Sequence, residues 1–577
     1  MSITGGRIVV QALEDEGIPF TFGIPGTHNI ELYDVLAESA VQPILVTDEQ
    51  SASFMADGVW RASGRLGCAN LVPGAGVTHA MSGIAEAFMD NVPMLVLGCG
   101  IRQDTGRGYQ LHDVDQMAMV APVTKEQLRP LEGEDLYMTI RQACRIARDG
   151  VPGPVFVEVP ANLYLFKHDV DLDAERERWE TQPVSQPPAP DPDELDRVVS
   201  LLQQSKRPLL YLGLGAAGAG SDLVALAERL EAPVATTFQG KGVFPELHLL
   251  SLWPGFGAAA PPFAREVAAG CDAVLAIGCR FGEVGTGSYG LELPGPLIHV
   301  DIDPAVLGRN FPTEVAVHGD AAAFVAALLP RLEPRPQDSA LRRQIADGRT
   351  AVEESWREHA SASRVTPATL LQRLQERLGG DTIFTADSGN GTFLAMEMLR
   401  LDGPGHFLAP VDYSCMGYAV PAAVGARLAR PDAPVVALAG DGAFLMTGLE
   451  LITAVSHELP VVVLVLRDRE LAQIAQFQKT ALNRTTASQV GDYDLAALCA
   501  GMGLECLTLD DDAGIDDLLD RVVSVTAAGR PVAVDVAIDY ERPTYFTKGV
   551  VRTTLRRLPW PDRLRFIGRA LTRKVLG

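Results

Sequence analysis

Short apolar runs, rich in valine, isoleucine and leucine, recur along the chain. Each is followed by a longer stretch in which alanine and leucine return at helical spacing. The runs at 42–46, 94–97, 155–159, 208–212, 273–277, 297–302, 382–385, 434–439, 461–466 and 532–538 read as buried strands. Strands alternating with amphipathic helices predict parallel sheets with helices on both faces. Two proline-rich polar segments, about 182–192 and about 333–367, punctuate this pattern and read as connectors. The expectation is an α/β protein of three doubly wound parallel-sheet domains, at 1–180, 193–332 and 365–545, followed by a tail at 546–577. The first and third blocks are candidates for one fold used twice.

Composition narrows the class. A chain of 577 residues exceeds one core, and 47% hydrophobic with 21% charged residues describes a folded protein. The formal charge of −24 argues against a general nucleic-acid binder. Eight scattered cysteines with no Cys-x-x-Cys pair read as buried thiols in a reducing cytosol. The N-terminal residues lack a signal-peptide core, and no apolar stretch approaches the roughly 20 residues of a membrane span. A cytoplasmic enzyme is therefore expected. The tail runs against the rest: residues 551–577 hold eight basic residues and one acid. Leu564, Ile567, Leu571 and Val575 fall on one helical face there. Such a helix docks on the protein's own acidic surface or cleft, the favoured reading, or touches an anionic membrane.

The densest chemistry lies at 440–470. Gly440-Asp441-Gly442-Ala443-Phe444 ends an apolar run, a helix is expected over 445–458, a second strand follows, and Arg467-Asp468-Arg469-Glu470 comes next. Asp468 stands 468−441 = 27 positions after Asp441. In a parallel βαβ unit both carboxylates emerge at one sheet edge, where two oxygens can seat a divalent cation against an anion held by glycine amides. Alone, Gly-Asp-Gly is as often a plain turn.

This pattern resembles the thiamine diphosphate enzymes of the acetolactate synthase, pyruvate decarboxylase and pyruvate oxidase group. The resemblance implies that Asp441, Asp468 and the Glu470 carbonyl hold Mg²⁺, with Gly440, Gly442, Ala443, Leu471, Ala472 and Ile474 beside the cofactor. Asp468 departs from the family's asparagine, and Arg467 or Arg469 is expected to offset its charge. Asp387-Ser388-Gly389-Asn390-Gly391-Thr392 resembles the segment beside the diphosphate, with Asp387, Asn390, Gly391 and Thr392 as contacts. Ser414-Cys415-Met416-Gly417 resembles the segment whose bulky side chain bends the cofactor, here Met416, while backbone groups of Ser414 and Met416 bind its aminopyrimidine.

In the first block, Asp48-Glu49-Gln50 through Met55-Ala56-Asp57-Gly58 resembles the segment whose glutamate hydrogen-bonds that ring and promotes deprotonation of the thiazolium carbon. Without the resemblance, Glu49 is an acid favoured in a helix's first turn. Phe22-Gly23-Ile24-Pro25-Gly26 resembles a turn bordering the active site, so Pro25 and Gly26 are cofactor contacts. His28, His79 and His112 are three unranked candidates for an acid or base. Gln473, with Phe477, stands where the family shapes its acceptor pocket.

Several middle-block segments, among them Gly213-Leu214-Gly215 and Asp301-Ile302-Asp303, resemble a domain that in some members holds FAD, in others ADP and in others nothing. The function implied is Mg²⁺- and thiamine diphosphate-dependent decarboxylation of a 2-oxo acid, with ligation to a second carbonyl. Its partners are a 2-oxo acid donor, a carbonyl acceptor, and further copies of the chain in a homodimer or homotetramer whose sites lie between subunits. Alternatives are a flavin-dependent 2-oxo acid oxidase, a 1,2-diketone-cleaving hydrolase, and a nucleotide-binding scaffold without catalysis.

Overall fold

The computed structural model describes residues 2–358 and 360–576; it does not describe the side chains of residues 567, 570, 571 and 574–576. Every apolar run named above is a strand, because runs this apolar need cover on both faces. Together with eight further strands they form three six-stranded parallel sheets. Sequence reading missed the shorter or more polar strands, such as Phe20–Gly23, Gly67–Leu71, Val315–His318 and Glu505–Leu509, which carry too few apolar residues to stand out.

The first sheet comprises, in chain order, Phe20–Gly23, Gln42–Leu45, Gly67–Leu71, Met94–Gly100, Glu126–Leu128 and Pro154–Pro160. The third comprises Ile383–Ala386, Phe407–Leu408, Val435–Gly440, Val461–Arg467, Glu505–Leu509 and Val532–Ala537. Numbered within each domain, both sheets run 2-1-3-4-6-5, so the same fold is indeed used twice. The middle sheet runs 3-2-1-4-5-6, the order of dinucleotide-binding folds, with its reversal between Pro208–Leu212 and Ala273–Ile277.

The first and third domains lock together through two helices, Glu49–Ser63 and Ala419–Ala429. A Cβ on Gly58 would lie 2.5 Å from the Ala422 carbonyl oxygen, so glycine is required for the backbones to meet. A buried network flanks the crossing. Arg61 pairs with Asp57 at 2.7 Å and Asp90 at 2.9 Å, and the Tyr418 hydroxyl donates to Asp57. Nearby, Glu450 accepts from the Thr47 amide at 3.1 Å and the Thr453 hydroxyl at 2.6 Å, which satisfies a carboxylate buried between domains.

Two expectations change. The helix expected over 445–458 begins at Asp441, as Asp441–Thr447, and passes through a 3₁₀ turn, Gly448–Glu450, into Leu451–Ser456. Asp441 is thus in the first turn, where a carboxylate suits the helix dipole. The tail forms Tyr545–Arg557 and Trp560–Leu576; the latter packs on Ala472–Leu482, and Arg573 donates to the Leu482 carbonyl at 3.0 Å. Of its expected apolar stripe, Leu564 is exposed, and the side chains of Ile567, Leu571 and Val575 lie outside the described residues.

Candidate active site

In the third domain three carboxylates follow three strands. Asp387, just past Ile383–Ala386, is buried and accepts the amides of Gly417 at 2.7 Å, Tyr418 at 3.1 Å and Ala419 at 3.2 Å. It therefore fixes the backbone that carries Met416. Burial outweighs these donors and pushes its pKa up to about 6. The Ser388 and Ser414 hydroxyls meet at 2.7 Å, and Ser414 has φ of 65°, a left-handed conformation that turns the chain into this loop. Thr392 donates to the Asp387 carbonyl. Asn390 is buried with its Oδ1 unpartnered, an acceptor awaiting a donor, and a Cβ on Gly391 would sit 3.1 Å from Leu466.

Asp441 leads off its helix with both oxygens engaged: Oδ1 accepts the Gly442 amide and Oδ2 the Arg469 amide, each at 2.7 Å. The second bond draws the turn after Val461–Arg467 onto Asp441. In that turn Asp468 accepts the Glu470 amide at 3.2 Å. Burial, helped by the charges of Asp441 and Glu470, pushes Asp468 up to about 7; burial also raises Asp441. Two carboxylates that resist being charged together form a seat a divalent cation would relieve. The Glu470 side chain turns away to Lys479, at 2.8 Å.

The expected compensation is indirect: the charge of Arg467 lowers the Asp441 pKa against its burial, while both guanidiniums are bound to other acids. Arg467 is held by Asp535 at 2.6 Å and Asp492 at 2.9 Å over the Tyr493 ring, and Arg469 pairs with Asp492 at 3.2 Å. Acids on the neighbouring strand and loop capture both guanidiniums. The attraction registered at Asp468 comes instead from Arg364. Glycine clears the space beside this seat: a Cβ on Gly442 would lie 2.7 Å from Leu471 and 3.7 Å from the Met416 methyl. Gly440 caps the helix, Ala443 is buried, Ala472 is half-buried and Ile474 is exposed.

In the first domain the candidates fall into two pairs. Glu49, capped by Asp48 at the start of its helix, is 7% exposed, and its Oε2 lies 3.3 Å from Nδ1 of the exposed His79. His28 and His112 meet edge to face with ring centroids 5.5 Å apart. Burial, then the neighbouring His112, lowers the His28 pKa below its ordinary value, which favours neutral imidazole. The turn at Pro73-Gly74 and the start of the helix Ala75–Met89 separate the pairs. A Cβ on Gly74 would lie 3.2 Å from His112, and one on Gly76 would lie 3.1 Å from Glu49 Oε1. Pro25 is exposed, while the Gly26 amide donates to Asn29 at 2.8 Å, which shapes the turn before His28.

Sequence reasoning missed Gln116. Its buried amide accepts from Gly74 at 3.0 Å and donates to the Cys99 carbonyl at 2.9 Å and Glu158 at 2.8 Å, which positions the turn between the histidine pairs. Its signal is the resemblance of 109–116 to a family segment ending in Asp-Gln, from which only His112 enters the candidates. The two domains approach within one chain where Gln50, the neighbour of Glu49, donates to the Met416 carbonyl at 3.5 Å.

Three cavities adjoin these loops, one of about 500 Å³ beside Pro73, His112, Gln116 and Glu158 in the first domain. A second, of about 200 Å³, is lined by Ser388, Gly389, Ser414, Gln473 and Phe477 together with middle-domain residues. The third, about 800 Å³, opens at the middle domain's strand reversal, beside Gly215, Gly278, Arg280, Asp301 and Asp303. Cysteines contribute no disulfide: all eight are free thiols, six buried and two half-buried. Among the described residues no helix is long and apolar enough to cross a membrane.

Comparison with known proteins places the geometry in a family. The N-terminal TPP-binding domain of thiamine pyrophosphate enzymes matches residues 3–119, the central domain 195–328 and the C-terminal TPP-binding domain 387–536. A probable acetolactate synthase large subunit of Methanocaldococcus jannaschii is 29% identical over 559 residues, 93% of this chain and 92% of that protein. A probable 2-ketoarginine decarboxylase of Pseudomonas aeruginosa is 34% identical over 481 residues, 82% of this chain and 83% of that protein. An acetolactate synthase large subunit of Parasynechococcus marenigrum is 30% identical over 568 residues, 93% and 88% respectively. The chain belongs to the thiamine pyrophosphate enzymes, in their acetolactate synthase-like group, and is a thiamine diphosphate-dependent enzyme.

Proposed function

We propose that the protein decarboxylates a 2-oxo acid with Mg²⁺ and thiamine diphosphate and joins the remaining fragment to a second carbonyl. The observation that carries this reading is the Asp441–Asp468 seat: a buried and a half-buried carboxylate follow adjacent parallel strands of one sheet, each raised by burial, and Asn390 of the same domain keeps an unpartnered Oδ1. These oxygens fit a hard cation, and that cation would in turn hold a diphosphate. Asp441, Asp468 and the Glu470 carbonyl would hold Mg²⁺, and Met416 would set the bend of the cofactor. The cofactor, once bound, supplies a nucleophilic carbon and an electron sink that allow a 2-oxo acid to lose CO₂. Glu49 holds or releases the proton that the cofactor's ring exchanges. His28, whose neutral form burial favours, and His112 and His79 would move protons at the substrate's carbonyl oxygen.

A second reading, decarboxylation ending in protonation instead of ligation, draws on one observation. Among the described residues lining the smallest cavity there is no lysine, arginine or histidine to greet the carboxylate of a second 2-oxo acid. The relative named as a probable 2-ketoarginine decarboxylase agrees with it.

The largest cavity is the place for FAD or ADP, since it opens at a strand reversal beside close-packed glycines and two acids suited to a ribose. An exposed apolar row, Leu445, Met446, Leu449 and Ile452, follows directly on Asp441 and would pack against a second copy of the chain, in a homodimer or homotetramer. The deciding experiment incubates purified protein with thiamine diphosphate, Mg²⁺ and 2-oxo acids, with and without carbonyl acceptors. CO₂ release that requires both additions is expected, and mass spectrometry of the products separates ligation from protonation. No CO₂ from any 2-oxo acid overturns the reading. Flavin absorbance and light scattering report the nucleotide and the oligomer.

A further inference from the structure

The smallest cavity has an unusual charge pattern for a site built on a 2-oxo acid. Its walls are aromatic and aliphatic: Phe393 and Phe546 stack at 4.0 Å, and Phe238 meets Phe546 at 5.0 Å. One charged side chain lines it, Glu283, from the middle-domain turn after Arg280-Phe281. Glu283 is exposed and accepts from the Ser288 hydroxyl at 3.2 Å, and no cation pairs with it among the described residues. The lining also holds Ser388, Ser414 and Gln473, from the cofactor loops. The cavity thus brings together the cofactor loops, several aromatic rings and a lone carboxylate.

We propose that this cavity receives the side chain of the 2-oxo acid donor and that Glu283 selects a donor whose side chain ends in a cation, a guanidinium or an ammonium group. The inference rests on the decarboxylase reading above and deepens it. A carboxylate without a counter-charge attracts a cation, and ring faces on the way add to that attraction. The methylene stem of such a side chain buries against the phenylalanines. The volume of about 200 Å³ is close to seven times the roughly 30 Å³ a water occupies, so a stem with a guanidinium fits. An anionic side chain meets repulsion from Glu283 with no partner on the lining.

The test uses full-length protein with thiamine diphosphate and Mg²⁺ and reads CO₂ release from three donors of similar length. They are 5-guanidino-2-oxopentanoate, neutral 2-oxoheptanoate and anionic 2-oxoadipate. The expected order of kcat/KM is cationic, neutral, anionic, with roughly 10- to 100-fold between the first two, the scale of a hydrogen bond to a charged group. E283Q lowers kcat/KM for the guanidino acid by that factor, mainly through KM, and leaves 2-oxoheptanoate within about twofold. E283K reverses the order in favour of 2-oxoadipate. Turnover with no preference for the cation in the unaltered enzyme, or equal loss on both substrates in E283Q, overturns the assignment while the decarboxylase reading stands. No CO₂ from these acids or from pyruvate overturns both.

Discussion

The first and third domains thread their strands in the same order, yet matching strand ends carry different chemistry. After the opening strand stands His28 in one and Asp387 in the other. After the second come Glu49 and the Ser414–Met416 turn; after the third, the Gly74–His79 turn and Asp441; after the fourth, His112 and Asp468. One edge collects imidazoles and a buried acid, groups that exchange protons near neutral pH. The other collects carboxylates and glycines, groups that hold a cation and admit an anion. The fold decides where a ligand is met, and the side chains at those few positions decide what is done to it.

If that division is right, the two edges fail in different ways. Glu49→Gln should reduce turnover by roughly 10²- to 10⁴-fold, the worth of a positioned proton carrier, while Mg²⁺-dependent cofactor binding, followed by calorimetry, stays near the parent value. Lost binding in this variant would break the comparison. Asp441→Ala should do the converse, weakening Mg²⁺-dependent cofactor binding by about 100-fold, a loss recovered in part by high Mg²⁺. Gly442→Val places a side chain against Leu471 and Met416 and should weaken cofactor binding by about tenfold. Its first-domain counterpart, Gly76→Ala, crowds Glu49 and should lower kcat with binding unchanged.

The smallest effect concerns stability, where the two domains should behave alike. Each buries a glutamic acid with one oxygen on a backbone amide and the other unpartnered: Glu86 accepts from Cys415 at 3.1 Å, Glu397 from Phe546 at 3.1 Å. Burial, with Asp90 adding to it at Glu86, pushes Glu86 up to about 9; burial alone raises Glu397, to about 8. The native state then keeps protons that the unfolded chain releases above about pH 4.3. The stability each confers is full below that pH and is lost as pH rises to about 9 and about 8, respectively. Glu86→Gln and Glu397→Gln should each flatten the fall in Tm between pH 5 and 9 by about 2–4 °C, read by differential scanning fluorimetry. A steeper fall in either would mean that the acid is ionised in the fold.

Much of this was legible in the sequence, and the boundary of what was legible is instructive. Strands such as Val461–Arg467 and the carboxylates just past them announce themselves, since an unbroken apolar run ending in glycine or an acid has few other readings. Asp441, Asp468, Glu49 and Met416 were recognisable because motif and strand end coincide. Gln116, Glu86 and Glu450 were not, since each has a decisive partner far along the chain, 42, 329 and 403 positions away respectively. The fate of Arg467 was illegible for a related reason: its partner, Asp535, lies on a strand that becomes its neighbour only in the sheet. Glu283, too, is an ordinary loop acid until Gln473 of the third domain and Phe546 of the tail arrive to complete its cavity.

The crossing at Gly58, where one main chain rests against Ala422 of the other domain, has a consequence away from any ligand. Gly425 makes the reciprocal approach, where a Cβ would run into the Met55 carbonyl oxygen, so the two backbones touch as the faces of a bearing do. The span from proton carrier to cation seat is therefore gauged by two absent methyl groups, and drift at either residue would detune catalysis while leaving every reactive side chain in place.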